Sequence, residues 1–128
     1  MRFVSWNVNG IRAAIRKGID GYFEAFDADV IMLQEVRALP EQLPKDWSWP
    51  EGYQVHLHCA EKKGYSGVAT LSRSGFENIQ AGMGGTQDKG DTEGRVLVTE
   101  HQGFICCLLY TSDAADEGLG VDLGGRRI

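Results

Sequence analysis

The sequence predicts an α/β fold of the α+β kind: a mixed sheet with one early helical crossover and later meandering strands. Three observations carry that expectation. An alternating opening segment is followed by apolar residues at helical period and then by a continuous apolar run, the order strand, helix, strand. The segments after Tyr53 return to a period of two. The chain has 128 residues, 42% hydrophobic and 24% charged, the size and balance of one globular domain.

Arg2 to Trp6 alternates around Phe3, Val4 and Trp6 and reads as a strand that runs into the turn residues Asn7-Val8-Asn9-Gly10. From Ile11 the apolar positions Ala14, Ile15, Ile19, Tyr22, Phe23 and Phe26 recur at three and four, with a break expected at Gly18. Val30-Ile31-Met32-Leu33, inside Asp29 to Glu35, fits a strand buried on both faces and parallel to the first. Leu39 to Gly52 holds all three prolines and two tryptophans and reads as an ordered surface loop. Tyr53 to Cys59 and Gly67 to Ser72 are expected to pair antiparallel, joined near Lys62-Lys63-Gly64-Tyr65. A weak strand at Phe76 to Ile79 precedes the Gly-rich, charged segment Gly82 to Gly94. Strands at Arg95 to Glu100 and from Gly103 come next. Such a sheet needs a second sheet or further helices over its apolar face.

Bulk properties exclude several classes. The formal charge of -5 argues against holding nucleic acid by overall electrostatics, so any such contact must be local and aided by a cation or a basic rim. No apolar run approaches the roughly 20 residues of a membrane span, and Met1 to Asn7 lacks the features of a secretory signal, so the expected compartment is the cytoplasm. Cys59 stands alone while Cys106 and Cys107 are adjacent, which suits neither a disulfide scaffold nor a spaced zinc site.

The residues that could carry chemistry are Asn7 and Asn9 at the end of the first strand and Glu35 at the end of its parallel neighbour. Parallel neighbours bring their carboxyl ends together, and an amide beside a carboxylate is a hard oxygen site suited to Mg²⁺. Spacing alone favours the simpler reading, a turn pair plus a surface glutamate. Gly82, Gly84, Gly85 and Gly90 are not followed by the lysine and hydroxyl of a phosphate-cradling loop. His56 and His58 alternate onto one strand face with no further ligand spaced to complete a metal set, and are expected on an exposed face.

Four ordered blocks add a resemblance. Trp6-Asn7-Val8-Asn9-Gly10-Ile11-Arg12-Ala13, Leu33-Gln34-Glu35-Val36-Arg37, Lys63-Gly64-Tyr65-Ser66-Gly67-Val68-Ala69 and Asp91-Thr92-Glu93-Gly94-Arg95-Val96 resemble the signature blocks of the exonuclease III and abasic-site endonuclease family. The resemblance runs from Met1 to about Phe104. It implies half of a four-layer α/β sandwich of the DNase I-like kind, with Glu35 as a ligand of Mg²⁺ (Mn²⁺ as an alternative). Asn7 would be an active-site amide that shares the metal site or orients its groups, and both count as catalytic. It further places Arg12, Lys17, Gly64 and Tyr65 on double-stranded DNA, where they would position rather than read the substrate. Read without the resemblance, Arg12 and Lys17 could equally form a solvated helix face and Tyr65 sit half-buried in a hairpin. Arg95, inside an apolar strand with Glu93 nearby, is expected to be a structural ion-pairing residue.

The implied activity is Mg²⁺-dependent hydrolysis of DNA phosphodiester bonds, 5′ to abasic sites and from 3′ ends, by a monomeric repair enzyme. Later family blocks supply the base and further metal ligands, and none occurs here, so this chain is expected to be inactive. The alternatives are a truncated folding unit without catalysis and a same-fold phosphodiesterase acting on a substrate other than DNA. The domain is drawn at residues 1–106. The stretch 107–128 back-translates into a string resembling a sequencing-library adaptor and is expected to be non-native and disordered. Tyr110 is in register with a family tyrosine, but Ser112 and Asp113 break that block and the match reads as accidental.

Overall fold

The computed structural model describes residues 1–82 and 93–111. Its elements are β1 (Phe3–Asn7), α1 (Ile11–Arg16), α2 (Ile19–Phe26), β2 (Val30–Gln34), a 3₁₀ turn (Pro40–Gln42), β3 (Gln54–His58), β4 (Val68–Ser72), β5 (Asn78–Ala81), β6 (Val96–His101) and β7 (Phe104–Leu109). The expected break at Gly18 is present: its φ of 89° is open to glycine and separates the two helices. Neither helix is long enough to hold itself together in water, so both depend on what they pack against.

The α/β expectation holds, with one change of arrangement. β1 pairs parallel with β2, and β2 and β3 both pair antiparallel with β4, giving a mixed sheet in the order β1-β2-β4-β3. The later meander does not extend that sheet. It forms a second, antiparallel sheet, β5-β6-β7. The reason lies in the alternation of β4. Ala69 and Leu71 join the core beneath the helices, whereas Val68 packs with Leu97, Leu108, Met32 and Ile79. A sheet with two faces to cover takes helices on one and a second sheet on the other.

The helix-side core is the larger. Ile11, Ile19, Phe23, Ile31, Leu33, Val36 and Leu71 are buried in it, most of them fully, and Trp6, Trp47 and Tyr53 close its margins. Complete burial of each such side chain stabilises by roughly 1.5–3 kcal/mol. The Pro-rich loop is tied down by its tryptophans: Trp47 stacks edge-on against Trp49, and its indole N–H donates to Asp20 Oδ1 at 3.0 Å. The weak strand begins at Asn78 rather than Phe76, because Phe76 turns toward the His101 ring instead of pairing.

β7 runs through Leu109, past the boundary drawn at Cys106. Buried Cys106 and Leu108 continue its inward alternation, and Leu109 is registered against Val96. Residues 107–111 are therefore described with the domain, and the expected disorder of 112–128 lies outside the described residues. So do Gly84, Gly85, Gly90, Asp91 and Thr92 of the Gly-rich segment and the fourth block. No helix among the described residues is long and apolar enough to cross a membrane.

Candidate active site

β1 and β2 end side by side, Asn7 opposite Gln34, which places Glu35 one residue beyond the sheet. Three short segments are then laced together by backbone hydrogen bonds. Val8 N–H donates to Gln34 O at 3.0 Å, Gly10 N–H to Glu35 O at 2.8 Å, Val36 N–H to Gly67 O at 3.0 Å and Arg37 N–H to Ser66 O at 2.7 Å. The lacing forces unusual backbone on non-glycine residues, with φ of 51° at Asn9, 53° at Glu35, 57° at Arg37 and 47° at Ser66. Each such residue costs on the order of 1–3 kcal/mol, and strain of this kind concentrates at functional sites.

The strain turns the Glu35 side chain into a nest of donors. Asn7 Nδ2 donates to Glu35 Oε2 at 2.5 Å, Tyr110 Oη donates to the same oxygen at 2.8 Å, and Arg37 donates to Oε1 in a salt bridge. Burial pushes the Glu35 carboxyl up, but the hydrogen bonds from Asn7 and Tyr110 and the Arg37 charge together outweigh it. The net effect holds the group below the ordinary glutamate range. It is an ionised carboxylate, fixed in direction.

Asn7 enters this nest as a donor. Its Oδ1 accepts the Asn9 backbone N–H at 2.9 Å, a turn closed by an asparagine side chain, and that leaves only the NH₂ to face Glu35. The amide is thereby oriented with its nitrogen, rather than its oxygen, toward Glu35. The geometry is that of an amide that orients Glu35, one of the two roles the resemblance implies for Asn7.

The structure brings the other expected residues near to different degrees. Tyr65 lies on the exposed loop that carries Gly64, whose φ of 74° suits glycine. Its hydroxyl accepts from Arg95 Nη2 at 3.0 Å, which joins it to the cluster. Arg12 donates to the Arg37 carbonyl at 3.2 Å, one contact away from Glu35. Lys17 instead lines a groove on the helix side of β1 with Trp6, Asn9, Tyr22 and Phe26. Arg95 does ion-pair with Glu93, Nε to Oε1 at 2.5 Å. His56 and His58 sit half-buried on β3 rather than exposed, since their face of the sheet turns toward β4's inter-sheet side.

Two members of the cluster escape a reading of the sequence. Tyr110 is discounted there because Ser112 and Asp113 break its block, yet its hydroxyl is one of the donors on Glu35. Arg37 stands in the second signature block without a role, and its ion pair with Glu35 forms where both residues take left-handed backbone just past the end of β2.

The fit to a divalent ion can be judged from the donor set. A carboxylate offers about four lone-pair positions. Three are filled on Glu35, leaving one on Oε1, and among the described residues no group of three acidic, histidine or cysteine side chains gathers. Mg²⁺ commonly keeps several waters and takes only one or two carboxylates. The chain thus fits such an ion as the donor of one ligand.

Residues 4–115 match the Endonuclease/Exonuclease/phosphatase family. The chain is 35% identical to a DNA-(apurinic or apyrimidinic site) endonuclease of Dictyostelium discoideum, across 93% of this chain and 32% of that protein. It is 38% identical to an exodeoxyribonuclease of Bacillus subtilis, across 89% of this chain and 44% of that protein. Among solved structures, the catalytic domain of Xenopus laevis APE2 superposes with a TM-score of 0.73 at 29% identity, across 91% of this chain and 47% of that one. The chain spans a third to a half of the length of these relatives.

Proposed function

Because the chain belongs to the Endonuclease/Exonuclease/phosphatase family, we propose that it is part of a DNA-repair phosphodiesterase that cleaves 5′ to abasic sites and removes nucleotides from 3′ ends. The observation that carries this reading is the Glu35 carboxylate, kept ionised and aimed by Asn7 and Tyr110 at the joined ends of two parallel strands. Open α/β sheets place their ligands at such ends. The relatives' names, an abasic-site endonuclease and an exodeoxyribonuclease, supply the substrate class.

In this reading Glu35 supplies one ligand to Mg²⁺ or Mn²⁺, and the ion, when bound, neutralises charge that builds on the phosphoryl oxygens. Asn7 and Tyr110 hold the carboxylate in one rotamer, so no reorganisation is needed when the ion arrives. Arg37 balances the buried charge before that. Tyr65, Gly64, Arg12 and Lys17 contact the phosphate backbone of duplex DNA and set its position. The protein acts as a cytoplasmic monomer. The 128-residue chain alone, in which no group of three acidic, histidine or cysteine side chains gathers among the described residues, has no turnover. The adaptor origin of the sequence after Cys106 is a separate proposal, refuted by different bases at those codons in the source read.

Two measurements test the reading. Mn²⁺ added to the labelled chain should broaden the Asn7 and Glu35 side-chain resonances first, and Glu35→Gln should abolish that; broadening centred elsewhere refutes the metal site. The purified chain with Mg²⁺ should leave abasic DNA intact, whereas a reading frame that continues past Ile105 into the remaining family blocks should incise it in a Glu35-dependent way.

A further inference from the structure

The sequence assigns Arg95 no more than a pairing with Glu93, but that bond uses only its Nε. The two terminal nitrogens go elsewhere. Nη2 donates to the Tyr65 hydroxyl at 3.0 Å, and Nη1 donates to the Tyr110 backbone carbonyl at 3.3 Å. The guanidinium carbon lies 5.7 Å from the centre of the Tyr65 ring and 5.6 Å from that of Tyr110, within cation–π range of both. The Tyr110 N–H returns a hydrogen bond to the Arg95 carbonyl at 2.9 Å. A planar fork with fixed donors is the one side chain that can hold two tyrosines and a carboxylate at once.

We infer that Arg95 is a positioning residue that couples the Lys62 to Gly67 loop to the Glu35 carboxylate, through the two tyrosines it holds. The path is continuous: Tyr65 to Arg95, Arg95 to Tyr110, Tyr110 Oη to Glu35 at 2.8 Å, and Asn7 on the same carboxylate oxygen.

Two further features support the coupling. The phenol of Tyr65 accepts from Arg95, which leaves its own hydrogen to donate outward to an anionic oxygen. The loop can thus present the Tyr65 O–H as a donor to a phosphate while a lone pair of the same oxygen stays bonded to Arg95. Gly94, with φ of 65°, lies so close to the neighbouring segment that an added Cβ would stand 2.6 Å from the His58 carbonyl and 2.7 Å from Ala60 N. This contact fixes the backbone just before Arg95 against His58, Cys59 and Ala60, the end of β3 and the residues that lead into that loop. The side chain therefore works from a rigid base rather than from a frayed strand end.

The inference rests on the proposed reading of Tyr65 and Glu35 as parts of one site. It is tested by NMR on the labelled 128-residue chain, with the Asn7 side-chain amide and the Tyr110 ring as reporters. Tyr65→Phe removes the acceptor without touching β6 and should shift both reporters, although neither touches Tyr65 in the path except through Arg95. Arg95→Lys keeps the charge but cannot span three acceptors. It should therefore lose the hydrogen-bonded position of the Asn7 amide as fully as Arg95→Met does. Native backbone resonances for β2 and β4 certify that each variant is folded. Reporters unmoved in a folded Arg95→Lys, or in Tyr65→Phe, overturn the inference. Coupling seen without Mn²⁺ broadening at Glu35 refutes the metal reading alone, and broadening without coupling refutes this inference alone.

Discussion

The two faces of the mixed sheet are built on opposite principles. Toward the helices, β2 and β4 present Ile31, Leu33, Ala69 and Leu71, fully buried and wholly apolar. Toward the second sheet, the same strands present Met32, Val68, Thr70 and Ser72, and they meet Leu97, Thr99 and His101. On that side the His101 ring bonds Thr99 Oγ1 at 2.8 Å and the Gly75 carbonyl at 3.1 Å and stacks on Phe104, while Thr70 keeps a buried hydroxyl with no partner among the described residues. The Asn7 and Glu35 cluster opens at the end of this polar interface. One face holds the chain together, and the other tolerates the polar groups and strained backbone that chemistry requires.

Substitutions should rank by face. Leu33→Ala, in the helix-side core, should lower the unfolding free energy by about 3–4 kcal/mol in urea titrations. A loss under about 1 kcal/mol, well below the roughly 2–5 of such truncations, would mean that this core is not the stabilising face. Next comes Gly94→Ala on the other side. It combines a left-handed backbone with a Cβ on the His58 carbonyl and should cost about 2–3 kcal/mol. The same titration checks it, and neutrality would show that Gly94 does not press on the loop.

Thr70→Val should do the reverse. It deletes a buried hydroxyl that has no partner among the described residues while keeping the β-branched shape, and should raise stability by about 1 kcal/mol. A loss instead would reveal a partner for that hydroxyl.

The smallest effect is a pH dependence. The Glu35 carboxyl is held below its ordinary value of 4.5, so its contribution is present above that value and is lost as the pH falls through the lowered native one. The stability difference between the wild type and Glu35→Gln should accordingly shrink as acid is added below about pH 4.5. A difference that stays constant across that range would show that the donors around Glu35 do not favour its charged form.

Legibility also divides by region. The strands and helices are visible in the sequence because each obeys a local period: the break at Gly18, the parallel pair β1 and β2, and the antiparallel β3 and β4 all arise from patterns within a few residues. The second sheet is not, since alternation in β4 says that two faces are covered without saying by what. At the site, Asn7 and Glu35 can be named from strand ends. That the Asn7 NH₂ is the group turned toward Glu35 depends on its Oδ1 accepting the Asn9 N–H. Tyr110 is hidden because Ser112 and Asp113 break its motif along the chain, whereas its place beside Glu35 comes from the pairing of β7 with β6.

The sequence by itself determined the order of elements, the apolar residues that face the helix-side core, and the family to which residues 4–115 belong. All of these are properties of neighbours along the chain or of motifs read in line. Only the tertiary structure decided that positions 7, 35, 37, 65, 95 and 110 form one connected cluster. Hydrogen bonds are directional and short, so that cluster exists only after two sheets have stacked and three loops have been laced at one end.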